Sequence, residues 1–153
     1  MNTYIDSSAL VPLYVTERFS DAADAAVTAA GPIPFTPIHR LELTNAFERL
    51  VGRRLLRADE CSRLYEQLQD DLDNGRLVMV ATDLEAVVAH AVELSRAHAA
   101  RFLARSLDLM HVAAAQVVGC KRFVSADDRQ LAVARATGLR ALDIKRSTRR
   151  KQT

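Results

Sequence analysis

Residues 3–14 read TYIDSSALVPLY. Thr3, Tyr4 and Ile5 suit a short strand, because β-branched and aromatic side chains fit a pleated, half-buried surface. Asp6 closes the run, and residues 7–14 read as a brief helix. The stretch is therefore strand, acidic end, helix: the opening of a β-α unit. An ionised carboxylate at the end of a buried strand is costly unless it is paired or holds a metal. Asp6 is the residue in this stretch that packing alone explains least.

Outward from that point the same alternation repeats. Residues 20–30 form a helical pattern, with Ser20 or Asp21 as its N-cap and Gly31 as its stop. IPFT at 33–36 is a short apolar run between prolines. Residues 38–53 place Leu43, Phe47, Leu50 and Val51 on one helical stripe. A further helix spans 59–73 and ends at Asn74-Gly75; LVMVA follows at 77–81. Thr82 or Asp83 caps a helix over 84–100, and 106–118 forms a more apolar one, ended by Gly119. RFVS at 122–125, a helix from about 127 to 136, and a strand at 139–144 complete the chain's ordered part. Strands alternating with helices predict an α/β fold with a mainly parallel sheet and helices on both faces. In such folds chemistry gathers at the carboxyl ends of the strands.

Composition narrows the function classes. The chain has 153 residues, 49% hydrophobic and 26% charged, which suits one globular domain with a sizeable core and excludes bulk disorder. No apolar run approaches the ~18 residues of a membrane span. The start, MNTYIDSSAL, lacks the basic and apolar regions of an export signal, so a cytoplasmic chain is expected. Cys61 and Cys120 form no metal spacing and read as reduced, buried or half-buried thiols. Five basic groups lie in the last nine residues, leaving residues 1–144 with 16 basic and 19 acidic groups, a net of −3. The expected organisation is a domain over 1–144 and a basic, disordered tail over 145–153. A slightly acidic body does not bind a polyanion by bulk phosphate neutralisation. It needs the tail, a patch of arginines, or bound cations.

Four acids stand at the predicted carboxyl rim. Asp6 ends the first strand, Glu42 lies early in the helix after the second, Asp108 sits in the first turn before the fourth, and Asp127 follows the fourth. They are 36, 66 and 19 residues apart, so no local rule groups them. Each has a bland explanation: helix-dipole stabilisation for Asp108 and Asp127, a solvated flank facing Arg49 for Glu42. Together they suggest a hard-cation site, since carboxylates sharing a cleft repel one another unless a divalent ion neutralises them. Such an ion also presents positive charge to a phosphodiester.

YIDSSALVPLY, LELTNAF at 41–47, RSLDLMHVAAA at 105–115 and FVSADDRQLAVARATGL at 123–139 resemble, in order, the four signature regions of PIN-domain ribonucleases, most nearly the VapC-type toxins of bacterial toxin–antitoxin pairs. The resemblance covers residues 3 to about 144. It implies a PIN-like three-layer sandwich whose parallel sheet of about five strands runs in the order 3-2-1-4-5. It places the family's metal-binding acids on Asp6, Glu42, Asp108 and Asp127, with Ser8 and Ser125 as supporting hydroxyls. It implies an endoribonuclease dependent on Mg²⁺, or Mn²⁺, that hydrolyses RNA phosphodiester bonds by metal-activated water. It also implies a homodimer and a cognate antitoxin that blocks the cleft. The doublet Asp127-Asp128 departs from the pattern: the S-x-D spacing favours Asp127 as ligand and leaves Asp128 a supporting acid or a helix-end charge.

Other residues and readings weigh less. His111 follows Asp108 by three and reads as a core or supporting histidine, a general base being the alternative. His39, His90 and His98 have no partner pattern. Arg101 and Arg105 flank the Asp108 helix, for RNA phosphate or for exposed salt bridges. The rival to the enzyme is a catalytically silent PIN-fold module that binds RNA or protein. A phosphoreceiver is disfavoured, because Asp6 has no acidic neighbour and no lysine follows the fourth strand.

Overall fold

The structure, a computed structural model, describes residues 1–147. Its elements run β1 (Thr3–Ile5), α1 (Ser7–Leu10) with a tight turn over Val11–Leu13, α2 (Ser20–Ala30), β2 (Ile33–Phe35), α3 (Pro37–Gly52), α4 (Ala58–Asp73), β3 (Leu77–Met79), α5 (Leu84–Leu94), α6 (Ala100–Phe102), α7 (Ser106–Val117), β4 (Arg122–Ser125), α8 (Asp128–Ala136), β5 (Arg140–Asp143) and α9 (Ile144–Ser147). A widened helical turn over Ser95–Ala99 joins α5 to α6. All strand pairing is parallel. Asp83 caps α5 through the Ala86 amide, whereas Phe19, not Ser20 or Asp21, occupies the N-cap of α2.

Alternation along the strands makes two cores, as a period of two requires. Ile5 and Val124 face a core shared with α1, α2, α3 and α4, where Leu43, Phe47, Leu64 and Leu68 are buried. Tyr4 and Phe123 face the other, with Val87, Leu94, Val112 and Val133 from α5, α7 and α8. The helices thus sandwich the strands, giving the three layers expected. Cys61 and Cys120 are free and buried.

The single five-stranded sheet is corrected. The strands form a three-stranded sheet, β1-β4-β5, and a separate two-stranded one, β2-β3. The two abut through β1 and β2, so the lateral succession is the expected one, but no ladder crosses the seam. Pro34 and His39 supply the reason. Ile33 N–H donates to the Arg76 carbonyl and Val80 N–H to the Phe35 carbonyl, so residues 33 and 35 face β3. Pro34, of opposite parity, faces β1 and has no N–H to give. The next amide on that side, Thr36 N–H, donates to His39 Nδ1 at 3.0 Å, and His39 Nε2–H donates to the Ile5 carbonyl at 2.8 Å. A buried imidazole therefore replaces a rung of the ladder. Burial, reinforced by the nearby His111, holds its pKa well below the usual value and keeps it neutral.

The tail expected from Lys145 onward begins as the helical turn α9, and Lys145 Nζ donates to Asp128 Oδ1 at 2.7 Å. Residues 148–153, the rest of that tail, lie outside the described residues.

Candidate metal centre

β1 and β4 pair in register, Ile5 beside Val124, and both run in one direction, so Asp6 and Ser125 emerge at one rim. Three helices begin at or beside that rim, and three of the acids sit at their starts. Asp6 Oδ1 accepts from the Ala9 amide at the head of α1. Asp108 Oδ2 accepts from the Arg105 amide at 2.8 Å at the head of α7. Asp127 Oδ1 accepts from the Arg129 and Gln130 amides, at 2.8 and 3.1 Å, at the head of α8. The capping role and the site role coexist: one carboxylate oxygen secures the helix end and the other remains for a further partner.

Glu42, Asp108 and Asp127 line one cleft of about 430 Å³, together with Ser7, Ser8, Asn45, Arg49, Arg105 and Gln130. Asp6 does not line it and is fully buried. Its partners are hydroxyls: Ser8 Oγ donates at 2.9 Å and Ser125 Oγ at 3.0 Å. Ser125 Oγ in turn accepts from the Asp127 amide at 2.9 Å, and Ser8 Oγ from the Ala126 amide at 3.0 Å, so the two serines tie Asp6 to the β4–α8 corner. Burial pushes the Asp6 carboxyl up to about 6; His111, the two hydroxyls and the Ala9 amide offset only part of that.

Glu42 does not face Arg49. It meets His111, whose Nε2–H donates to Glu42 Oε2. His111 is itself buried, and its Nδ1 shares a 2.8 Å hydrogen bond with the Tyr4 hydroxyl, a phenol whose pKa burial raises well above the usual value. That bond holds the ring with Nε2 facing Glu42. Burial alone would raise Glu42, but His111, the Ser7 hydroxyl and the Arg105 guanidinium outweigh it and hold the carboxyl below its ordinary value.

Asp128 turns away from the cleft: its side chain is 82% exposed and pairs with Lys145. Three contributors carried little sequence signal. His111 joins Glu42 across 69 residues, Arg105 reaches both Asp108 and Asp127, and Gln130 Nε2 donates to Asp108 Oδ1 at 3.4 Å. The spacings Asp108-x-x-His111 and Asp127-x-x-Gln130 were the available hints.

As the side chains stand, no group of three His, Cys, Asp or Glu among the described residues is arranged to enclose an ion. The donor set nevertheless fits a hard divalent cation. It is all oxygen, and Mg²⁺ needs only one or two direct carboxylates because it keeps most of its water. The buried Gln130 Oε1, the one buried side-chain polar atom without a partner among the described residues, adds an unused acceptor beside Asp108.

Comparison with known proteins agrees with this geometry. The family model described as PIN domain matches residues 3–136. Ribonuclease VapC3 of Pyrobaculum aerophilum is 31% identical over 132 residues, covering 86% of this chain and 93% of that protein. Among solved structures, FitAcB from Neisseria gonorrhoeae superposes with a TM-score of 0.67 at 15% identity, covering 94% of this chain and 98% of that one. PAE2754 from Pyrobaculum aerophilum gives 0.61 at 19% identity, with 98% and 96% coverage; both likenesses concern the fold. With motifs, strand succession, acidic rim and a relative along most of its length in accord, the chain belongs to the PIN domain family and, within it, to the VapC type.

Proposed function

We propose that this chain is a metal-dependent endoribonuclease, the toxin of a toxin–antitoxin pair, working in the cytoplasm. The observation that carries the reading is that Glu42, Asp108 and Asp127 line one cleft with Ser8, whose hydroxyl bonds the buried Asp6. Asp6, Glu42, Asp108 and Asp127 would hold Mg²⁺, or Mn²⁺, and Ser8 and Ser125 orient Asp6 for that task. Bound there, the ion supplies Lewis acidity, lowering the pKa of water and offsetting charge on the scissile phosphate. The chain's own contribution is placement. Helix starts pin Asp108 and Asp127, and the Tyr4–His111 pair orients Glu42. The named relative, a ribonuclease, supports RNA as the substrate, and the VapC-type motifs support an antitoxin as the partner. Leu84, Val88 and Val92 leave an exposed apolar strip along α5, which a second copy would cover in a homodimer. Among the described residues no helix is long and apolar enough to cross a membrane.

Incubation of purified protein with cellular RNA and Mg²⁺, followed by mapping of cut ends, tests the reading. Cuts bearing 5′-phosphate and 3′-hydroxyl ends are expected, lost in EDTA and in Asp108→Asn. Cleavage that persists in excess EDTA refutes the mechanism. RNA binding without cleavage under either ion makes the chain the catalytically silent module instead.

A further inference from the structure

Arg105 carries a role that neither the motifs nor the family assignment supplies. Its Nε lies 3.3 Å from Asp108 Oδ2 and its Nη2 3.6 Å from Asp127 Oδ2. Its charge also helps lower Glu42. One guanidinium thus pairs with two of the three carboxylates that line the cleft and favours the charged form of the third, where a divalent ion would meet the same groups. Three converging carboxylates repel one another, and a cation among them removes most of that cost. Arg49 lines the same cleft but makes no ion pair among the described residues.

The hold is loose. The Arg105 side chain is 69% exposed, and its fork is divided between two carboxylates, neither of which receives the two parallel bonds of a strong pair. Its main chain is fixed, because the Arg105 amide donates to Asp108 at 2.8 Å. A released side chain therefore stays anchored at the rim, where a planar guanidinium suits a phosphate.

We propose that Arg105 is the cleft's own counter-ion in the metal-free protein, displaced when a divalent cation takes the carboxylates and then free to bind a phosphate of the RNA. The inference rests on the metal-dependent reading above and deepens it. It orders the events: cation first, phosphate contact second. It also makes the two linked, because the cation releases the group that the phosphate uses.

Mg²⁺ titration of the full chain, followed in ¹H–¹⁵N spectra that include the arginine Nε–H signals, tests it. The Arg105 signal is identified by its loss in Arg105→Gln. In the wild type it should move with the backbone amides of Arg129 and Gln130, at one shared midpoint. Arg105→Gln should bind Mg²⁺ about two- to fivefold more tightly, the strength of an exposed ion pair. Arg105→Lys, which keeps the charge without the fork, should fall between. In saturating Mg²⁺, adenosine 3′,5′-bisphosphate, which has no diester linkage to cut, should bind Arg105→Gln roughly tenfold more weakly than wild type. An Arg105 signal unmoved at saturating Mg²⁺, or unchanged affinities in both variants, overturns the inference while leaving the ribonuclease reading intact. A wild type that binds no Mg²⁺ overturns both.

Discussion

Asp6 joins a chain-terminal strand to the site and does so at an energetic cost. Buried among two hydroxyls and one amide, its carboxyl sits at about 6, above the value of about 4 in an unfolded chain. Between those values folded Asp6 holds its proton more than unfolded Asp6 does, so the Asp6 contribution to metal-free stability falls as pH rises from about 4 to 6. Asp6→Asn removes that slope and, in EDTA at pH 7.5, should be more stable than wild type by up to roughly 2–3 kcal/mol, while losing cleavage. Denaturant melts across that pH range check both; a variant less stable than wild type at pH 7.5 contradicts the account. The doublet separates similarly. Asp127→Ala deletes the cap of α8, at about 0.5–2 kcal/mol, and should abolish cleavage. Asp128→Ala breaks only an exposed pair with Lys145, under about 1 kcal/mol, and should cut RNA normally. The S-x-D spacing already favoured Asp127; that Asp128 turns to Lys145 depends on α9, an element hidden within the expected tail.

At the scale of elements, the seam between β1 and β2 is the unusual feature. Pro34 removes a donor that a ladder there would require, and His39 bridges Thr36 and Ile5 in its place. His39→Leu leaves a buried amide and a buried carbonyl unpaired and should cost about 2–5 kcal/mol in chemical melts. Because the buried ring resists its proton, the His39 contribution to stability falls as pH drops below about 6.5, where the unfolded chain takes that proton up, and it opposes the Asp6 slope between about 4 and 6. His39→Leu should therefore gain stability relative to wild type as pH drops below about 6.5; a difference between the two proteins that stays constant with pH assigns the effect elsewhere. The sequence displayed Pro34 within the apolar run and His39 three residues past its end. Nothing local said that they serve one seam, since the Ile5 carbonyl they compensate is 34 residues from His39.

The whole molecule brings four carboxylates towards a single rim, and the consequence is linkage to divalent ions. An ion that binds only the folded state adds stability by mass action, about 2.7 kcal/mol at a hundredfold excess over its dissociation constant. For a domain of this length that is a rise in Tm of several degrees. Wild type should show this shift with Mg²⁺ or Mn²⁺, and Asp108→Asn should show little of it; equal shifts in both proteins would place the ion elsewhere. Local sequence was enough for the β-α alternation, the starts of α5, α7 and α8 and the carboxyl-rim placement of Asp6, Asp108 and Asp127, because hydrophobic period and capping chemistry act over a few residues. Packing across the chain set the split of the sheet beside β1, the turn of Glu42 to His111 and not to Arg49, and the place of Arg105 between Asp108 and Asp127. Those outcomes depend on which distant groups remain unpaired once the chain is packed. A buried polar group takes the partner that folding brings within reach, however far along the chain it lies.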